Sequence, residues 1–102
     1  MAEFRTVARL EDVPPGERLV VEYGREWVVI FNVDHTLYAL EDRCSHEDVP
    51  LSDGMVHGCE VECAKHGARF DLRDGRAMAP PAFAPVRRYE VRVVDGDVQV
   101  RR

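Results

Sequence analysis

Short runs rich in Val, Ile, Phe and Tyr follow one another along the chain, separated by Gly, Pro and Asp clusters. Apolar positions recur with a period near two, and no stretch of eleven residues keeps a helical period. This pattern predicts strands at Phe4–Arg9, Arg18–Tyr23, Trp27–Val33, Thr36–Leu40, Cys59–Cys63, Arg69–Asp71, Arg87–Val94 and Asp97–Arg101. Asp74-Gly75 and Asp95-Gly96 supply residues that tolerate positive φ, as tight hairpins require. Leu10–Val13 has room for one turn of 3₁₀ helix before Pro14-Pro15-Gly16 stops it. The expectation is an all-β sandwich with an insertion at about 41–85, where Gly/Pro-rich loops could carry a site on a rigid scaffold.

Length keeps this picture to a single domain: 102 residues, 1–102, hold one core and no second. A net charge of −5 and a pI near 5.3 argue against nucleic acid as a partner. The chain lacks an apolar run of membrane-spanning length and an apolar stretch near its N-terminus, so no membrane and a cytoplasmic location are expected. Three cysteines, Cys44, Cys59 and Cys63, favour ligation or free thiols over a disulfide framework in a reducing compartment.

The insertion also contains Cys44-x-His46 and, further on, Cys63-x-x-His66. Strand alternation puts Cys59, Val61 and Cys63 on one face and Glu60 and Glu62 on the other, so Cys63 ends a half-buried strand and His66 follows in a turn. Zinc accepts two sulfurs and two imidazoles, although the one-residue gap between Cys44 and His46 is tight for a zinc knuckle. A [2Fe-2S] centre with two cysteines on one iron and two histidines on the other needs one of each ligand from each of two loops. The sequence has that arrangement.

With Cys44-Ser45-His46, Cys63-Ala64-Lys65-His66-Gly67, Phe70-Asp71 and Asp74-Gly75 in place, followed by Ala79-Pro80-Pro81-Ala82, the chain resembles Rieske-type [2Fe-2S] proteins. The small soluble Rieske ferredoxins are the nearest in pattern. The resemblance is sharp from about Ala39 to Val94. It implies three stacked antiparallel sheets with the cluster at the tip of a small subdomain, and the proline-bearing loop covering it. It further implies that Cys44 and Cys63 hold the buried iron, and that His46 and His66 hold the exposed one. The implied role is a one-electron carrier, not an enzyme, running from a flavin-containing reductase to a non-haem iron oxygenase. A monomer is expected. The alternatives are a small Rieske-fold subunit of a larger reductase, nitrite-reductase-like, and a zinc-stabilised interaction module.

Three departures from the family pattern bear on chemistry. Val49 and Lys65 stand where one branch has a pair of disulfide-forming cysteines. Ala68 and Phe70 stand where that branch offers hydroxyls to the cluster sulfurs, and Ala64 replaces a common proline. Neutral histidine ligands leave the oxidised centre with two negative charges fewer than four thiolates would, which raises the potential. Without the hydroxyl donors the potential is expected near the low end for this cluster type, about −150 mV; a value above roughly +100 mV would oppose that expectation. Ligating imidazoles that face water would also couple electron uptake to protonation at alkaline pH.

Other residues read more plainly. His35 caps a hairpin turn between Val33 and Thr36, and His57 is structural or on the surface. Cys59 is expected as a buried free thiol, and Trp27 as core or edge packing. From Glu41 to Glu62 seven acidic residues accompany one basic residue, a net −6; from Cys63 to Arg88 six basic accompany two acidic, a net +4. Two solvated faces explain this, or a dipole that orients a redox partner, in which Glu47 and Asp48 would take part.

Overall fold

The computed structural model describes residues 3–44, 49–64, 67–80 and 82–102. Ten strands are present among them: β1 (Arg5–Arg9), β2 (Arg18–Tyr23), β3 (Glu26–Val33), β4 (Thr36–Glu41), β5 (Met55–His57), β6 (Glu60–Glu62), β7 (Arg69–Asp71), β8 (Ala77–Ala79), β9 (Arg88–Val94) and β10 (Asp97–Arg101). Single 3₁₀ turns cover Leu10–Asp12 and Leu51–Asp53. All strand pairs are antiparallel.

The large sheet runs β1-β10-β9-β4-β3-β2 and the small one β5-β6-β7-β8. Only Ala39↔Tyr89 and Leu40↔Arg88 join β4 to β9, so the large sheet is two three-stranded halves meeting at a short seam. That seam accounts for the three layers implied by the family resemblance. Alternation along β3 explains the two cores. Val28 and Ile30 turn to one face and pack with Val13, Tyr89, Val98 and Val100. Val29 and Phe31 turn to the other face and pack with Leu40 and the small sheet's Val61 and Phe70. Tyr23 and Tyr89 meet edge to face, ring centroids 5.5 Å apart.

Turns set the register. Asp34 (φ 51°) and His35 (φ 72°) form a two-residue hairpin loop between β3 and β4, and Asp95 (φ 51°) with Gly96 (φ 81°) does the same between β9 and β10. Buried Asn32 completes the first: its side-chain amide donates to the Val13 carbonyl at 2.8 Å, and its Oδ1 accepts from the His35 N–H at 3.0 Å. His35 is thus an exposed turn residue, as its sequence suggests.

Some expectations need correction. Strands β5 and β8 and the turn Leu51–Asp53 were not anticipated; each spans three residues, too few for alternation to register. Trp27 is 56% exposed and belongs to neither core. Cys59 is a free thiol but only half-buried, its Sγ 4.0 Å from the Tyr38 hydroxyl. That contact and burial push the Tyr38 hydroxyl pKa up, burial being the larger cause.

Candidate metal centre

Cys44 lies three residues beyond β4, where the chain leaves the large sheet. Its side of the loop is closed by a backbone bond, the Cys44 N–H donating to the Val49 carbonyl at 2.8 Å. Cys63 directly follows β6. Its N–H donates to the Ala68 carbonyl at 2.6 Å, and its own carbonyl accepts from the Gly67 N–H at 3.2 Å. Gly67 needs its glycine for this return, with φ at 75°. Each cysteine N–H therefore closes onto the carbonyl of the residue five positions on.

Both cysteines are buried, Cys44 at 1% and Cys63 at 2% exposure, and both belong to one apolar cluster with Leu51, Phe70, Leu72 and Ala82. A thiolate in such surroundings is costly unless a cation neutralises it. The donor set and its setting fit a soft, cysteine-ligated metal centre at this point. His46 and His66, the other two sequence candidates, lie outside the described residues, as do Glu47, Asp48 and Lys65. Among the described residues no group of three or more His, Cys, Asp or Glu could hold a metal ion, so no rival centre appears there.

A third loop adjoins the pair. Ala82 is buried in the cysteine core, while its neighbour Phe83 is 86% exposed and Met78 43%. Its return to β9 is stitched by the Val86 N–H donating to the Gly75 carbonyl at 2.9 Å. Gly75 (φ 79°) permits the approach, since a Cβ there would stand 2.3 Å from the Val86 oxygen. Buried Asp71 holds the same turn. Its Oδ1 accepts from the Arg73 N–H at 2.8 Å and from Nε at 3.0 Å, and its Oδ2 accepts from Nη2 at 2.8 Å. The Arg73 guanidinium thereby holds the Asp71 carboxyl below its ordinary 3.8.

Ala68 and Phe70 are fully buried and offer no hydroxyl, and the amides of Cys44 and Cys63 are spent on closing their own loops. His57 sits on the face opposite Val61 and Cys63, its Nε2 3.3 Å from Glu62 Oε1. Glu62 and Glu60 are also approached by Arg69, at 3.2 and 3.9 Å, so part of the acidic block is paired within its own sheet. Sequence reading missed three side chains that brace the first loop, Arg18, Asp42 and Ser52; nothing in their spacing marks them.

A family model described as Rieske [2Fe-2S] domain matches residues 3–90. The biphenyl dioxygenase ferredoxin subunit of Pseudomonas sp. (strain KKS102) is 38% identical over 98 residues, covering 95% of this chain and 90% of that protein. The biphenyl 2,3-dioxygenase ferredoxin component of Rhodococcus jostii (strain RHA1) is 42% identical over 89 residues, covering 87% and 83%. Among solved structures, a complex of reduced oxygenase and oxidised ferredoxin in carbazole 1,9a-dioxygenase contains a chain with TM-score 0.88 and 32% identity, covering 95% and 91%. A chain described as a nitrite reductase small subunit from Mycobacterium tuberculosis has TM-score 0.86, covering 98% and 95%, but at 23% identity shows the fold alone.

Proposed function

The chain belongs to the Rieske [2Fe-2S] domain family, and on that premise we propose that Cys44 and Cys63 hold one iron of its cluster and His46 and His66 the other. The cofactor is a Rieske-type [2Fe-2S] cluster and the chain is an electron carrier, not itself a catalyst. When bound, the cluster supplies a one-electron couple. The chain's own residues do the rest. Leu51, Phe70, Leu72 and Ala82 keep water from the two cysteines, and the loop-closing bonds at Val49 and Ala68 hold each cysteine at the neck of its loop.

The observation that carries this reading is the burial of both cysteines in one apolar core, each beginning a loop whose sequence goes on to a histidine. A zinc module is set aside by the family match, and a nitrite-reductase-like subunit has only the shared fold in its favour.

The donor in this reading is a flavin reductase and the acceptor a non-haem iron oxygenase. Support comes from relatives that are ferredoxin components of dioxygenases and from a solved ferredoxin–oxygenase complex. Exposed Phe83 and Met78 give the third loop an apolar outer surface next to the cysteine core, suited to brief contact with such partners. The carrier is a single domain over 1–102, with its cluster-binding subdomain at about 41–85, and works as a cytoplasmic monomer. Among the described residues no helix is long and apolar enough to cross a membrane.

The test is reconstitution with the purified reductase and oxygenase of a biphenyl dioxygenase system. Added NADH should reduce the chain through the reductase, and adding oxygenase should reoxidise it and yield dihydroxylated product. Failure of both transfers, with the chain's own cluster intact, would contradict the proposal.

A further inference from the structure

The 3₁₀ turn Leu51–Asp53 falls between Cys44 and Cys63 in the chain and is capped by Gly54. On one side it is held by Asp42, two residues before Cys44. The Ser52 backbone N–H donates to Asp42 Oδ1 at 2.7 Å, and the Ser52 hydroxyl donates to Oδ2 at 2.9 Å. Asp42 is in turn fixed to the large sheet, its N–H donating to the Trp27 carbonyl at 2.9 Å. On the other side Gly54 lies against the carbonyl of Glu62, the residue before Cys63. A Cβ on Gly54 would stand 2.2 Å from that oxygen, so only glycine allows the approach.

A third support comes from β2. Arg18 donates to the carbonyls of Ser52 and Gly54, and its guanidinium lies 5.0 Å from the centre of the Phe31 ring. Leu51, at the head of the turn, is fully buried in the core shared by both cysteines. None of the bonds made by the Arg18, Asp42 and Ser52 side chains belongs to a β ladder. They are part-buried and directional, and those from Arg18 and to Asp42 are charge-assisted, the stronger class of hydrogen bond.

We infer that residues 50–54 act as a spacer that fixes the separation of Cys44 and Cys63, with Asp42, Ser52 and Arg18 as its positioning residues. The inference rests on the proposal that these two cysteines share an iron. Two thiolates on one metal must be presented at one separation, and loops joined to the sheets only by their strand ends would leave that separation loose. A cysteine kept in place remains a ligand. One free to swing aside leaves the metal open to a competing chelator.

The test uses the chain purified anaerobically with its cluster. Bleaching of the visible absorption in excess EDTA is timed, and the EPR linewidths of the dithionite-reduced protein are recorded. Asp42→Ala, which loses both bonds to Ser52, is expected to bleach roughly tenfold faster, and Ser52→Ala, which keeps the backbone bond, about threefold faster. Asp42→Asn retains an acceptor for the backbone N–H and can bond the hydroxyl, so it should stay within about twofold of the parent. Broader EPR lines are expected in both alanine variants and parental lines in the asparagine variant, a signature that a general loss of stability would not give.

Parental bleaching rates and linewidths in Asp42→Ala and Ser52→Ala would overturn the spacer. If Asp42→Ala does not fold, Ser52→Ala decides alone. Cys44→Ala separates the two levels of the argument. If it keeps parental iron, sulfide and colour, the ligand proposal fails; if it is colourless while the spacer variants match the parent, only the spacer fails.

Discussion

Strands β2 and β3 pair over six residues, and β3 and β4 over six more, whereas each strand of the small sheet is three residues long. The large sheet buries Val28, Ile30, Ala39, Tyr89, Val98 and Val100 in a core of its own. Among the described residues the small sheet has no core of its own; its Val61 and Phe70 share one with the large sheet's Val29, Phe31 and Leu40 and with both cysteines. Its remaining order comes from polar bonds at loop necks, such as Asp71 to Arg73, Asp42 to Ser52 and Arg18 to two carbonyls. A long ladder over a dedicated core is stable by itself. A short ladder beside a metal site depends on what its loops hold, because metal binding and local folding share one free energy.

The largest expected effect follows directly. Removing the cluster should raise amide exchange in β5–β8 by more than roughly a hundredfold and leave β2–β4 within a few-fold, as read by hydrogen–deuterium exchange. Equal loosening of both sheets would break the comparison. Next comes Phe70→Ala, which empties the shared core and should cost about 3–5 kcal/mol in denaturant unfolding. A loss under about 1 kcal/mol would mean that the small sheet owes little to that core.

Asp71→Ala should cost less, about 2 kcal/mol at pH 7, since Arg73 can turn to solvent once its partner has gone. The pH dependence has a definite sign. The folded-state carboxyl lies below its ordinary 3.8, so its contribution is complete above that value and is lost as pH falls through the lower folded-state pKa. The gap between parent and variant should therefore close below about pH 4. A gap that persists undiminished at acid pH would assign the loss to packing.

The smallest effect sharpens the electrostatic side of the comparison. Ala68→Ser puts a hydroxyl at a buried position just beyond the second cysteine, where the parent side chain is a methyl group. One added hydrogen bond of about 1 kcal/mol to the reduced state corresponds to roughly +40 mV for a one-electron couple. Protein-film voltammetry on both proteins would measure the shift, with the parent expected at about −150 mV.

Legibility in the sequence follows the same division. The bounds of β2, β7 and β10 and the Asp34-His35 and Asp95-Gly96 turns match the pattern of apolar positions and turn residues, because in these segments local preference and tertiary packing agree. Spacing to His46 and His66 singled out Cys44 and Cys63 in the sequence, and the structure places both cysteines in one core. Strands β5 and β8 were not legible. Met55 is 65% exposed and Met78 43%, so these strands are made by pairing with β6 and β7 and not by their own apolar periodicity. Trp27 misled in the opposite direction: apolar size suggested packing, yet it is exposed while Val29 and Phe31, at alternate positions on the same strand, are buried. The bonds of Arg18 to the turn at 50–54 span more than thirty residues and involve backbone carbonyls, which no residue pattern announces.

The central claim, that Cys44, His46, Cys63 and His66 hold the cluster, is tested most directly by pulsed EPR. The reduced protein is compared with and without ¹⁵N-labelled histidine, and with His57→Ala as a labelled control. Two strongly coupled histidine nitrogens should appear, change with the label, and persist unaltered in the control. A reduced cluster without histidine nitrogen coupling, or one whose coupling disappears in His57→Ala, would contradict the assignment.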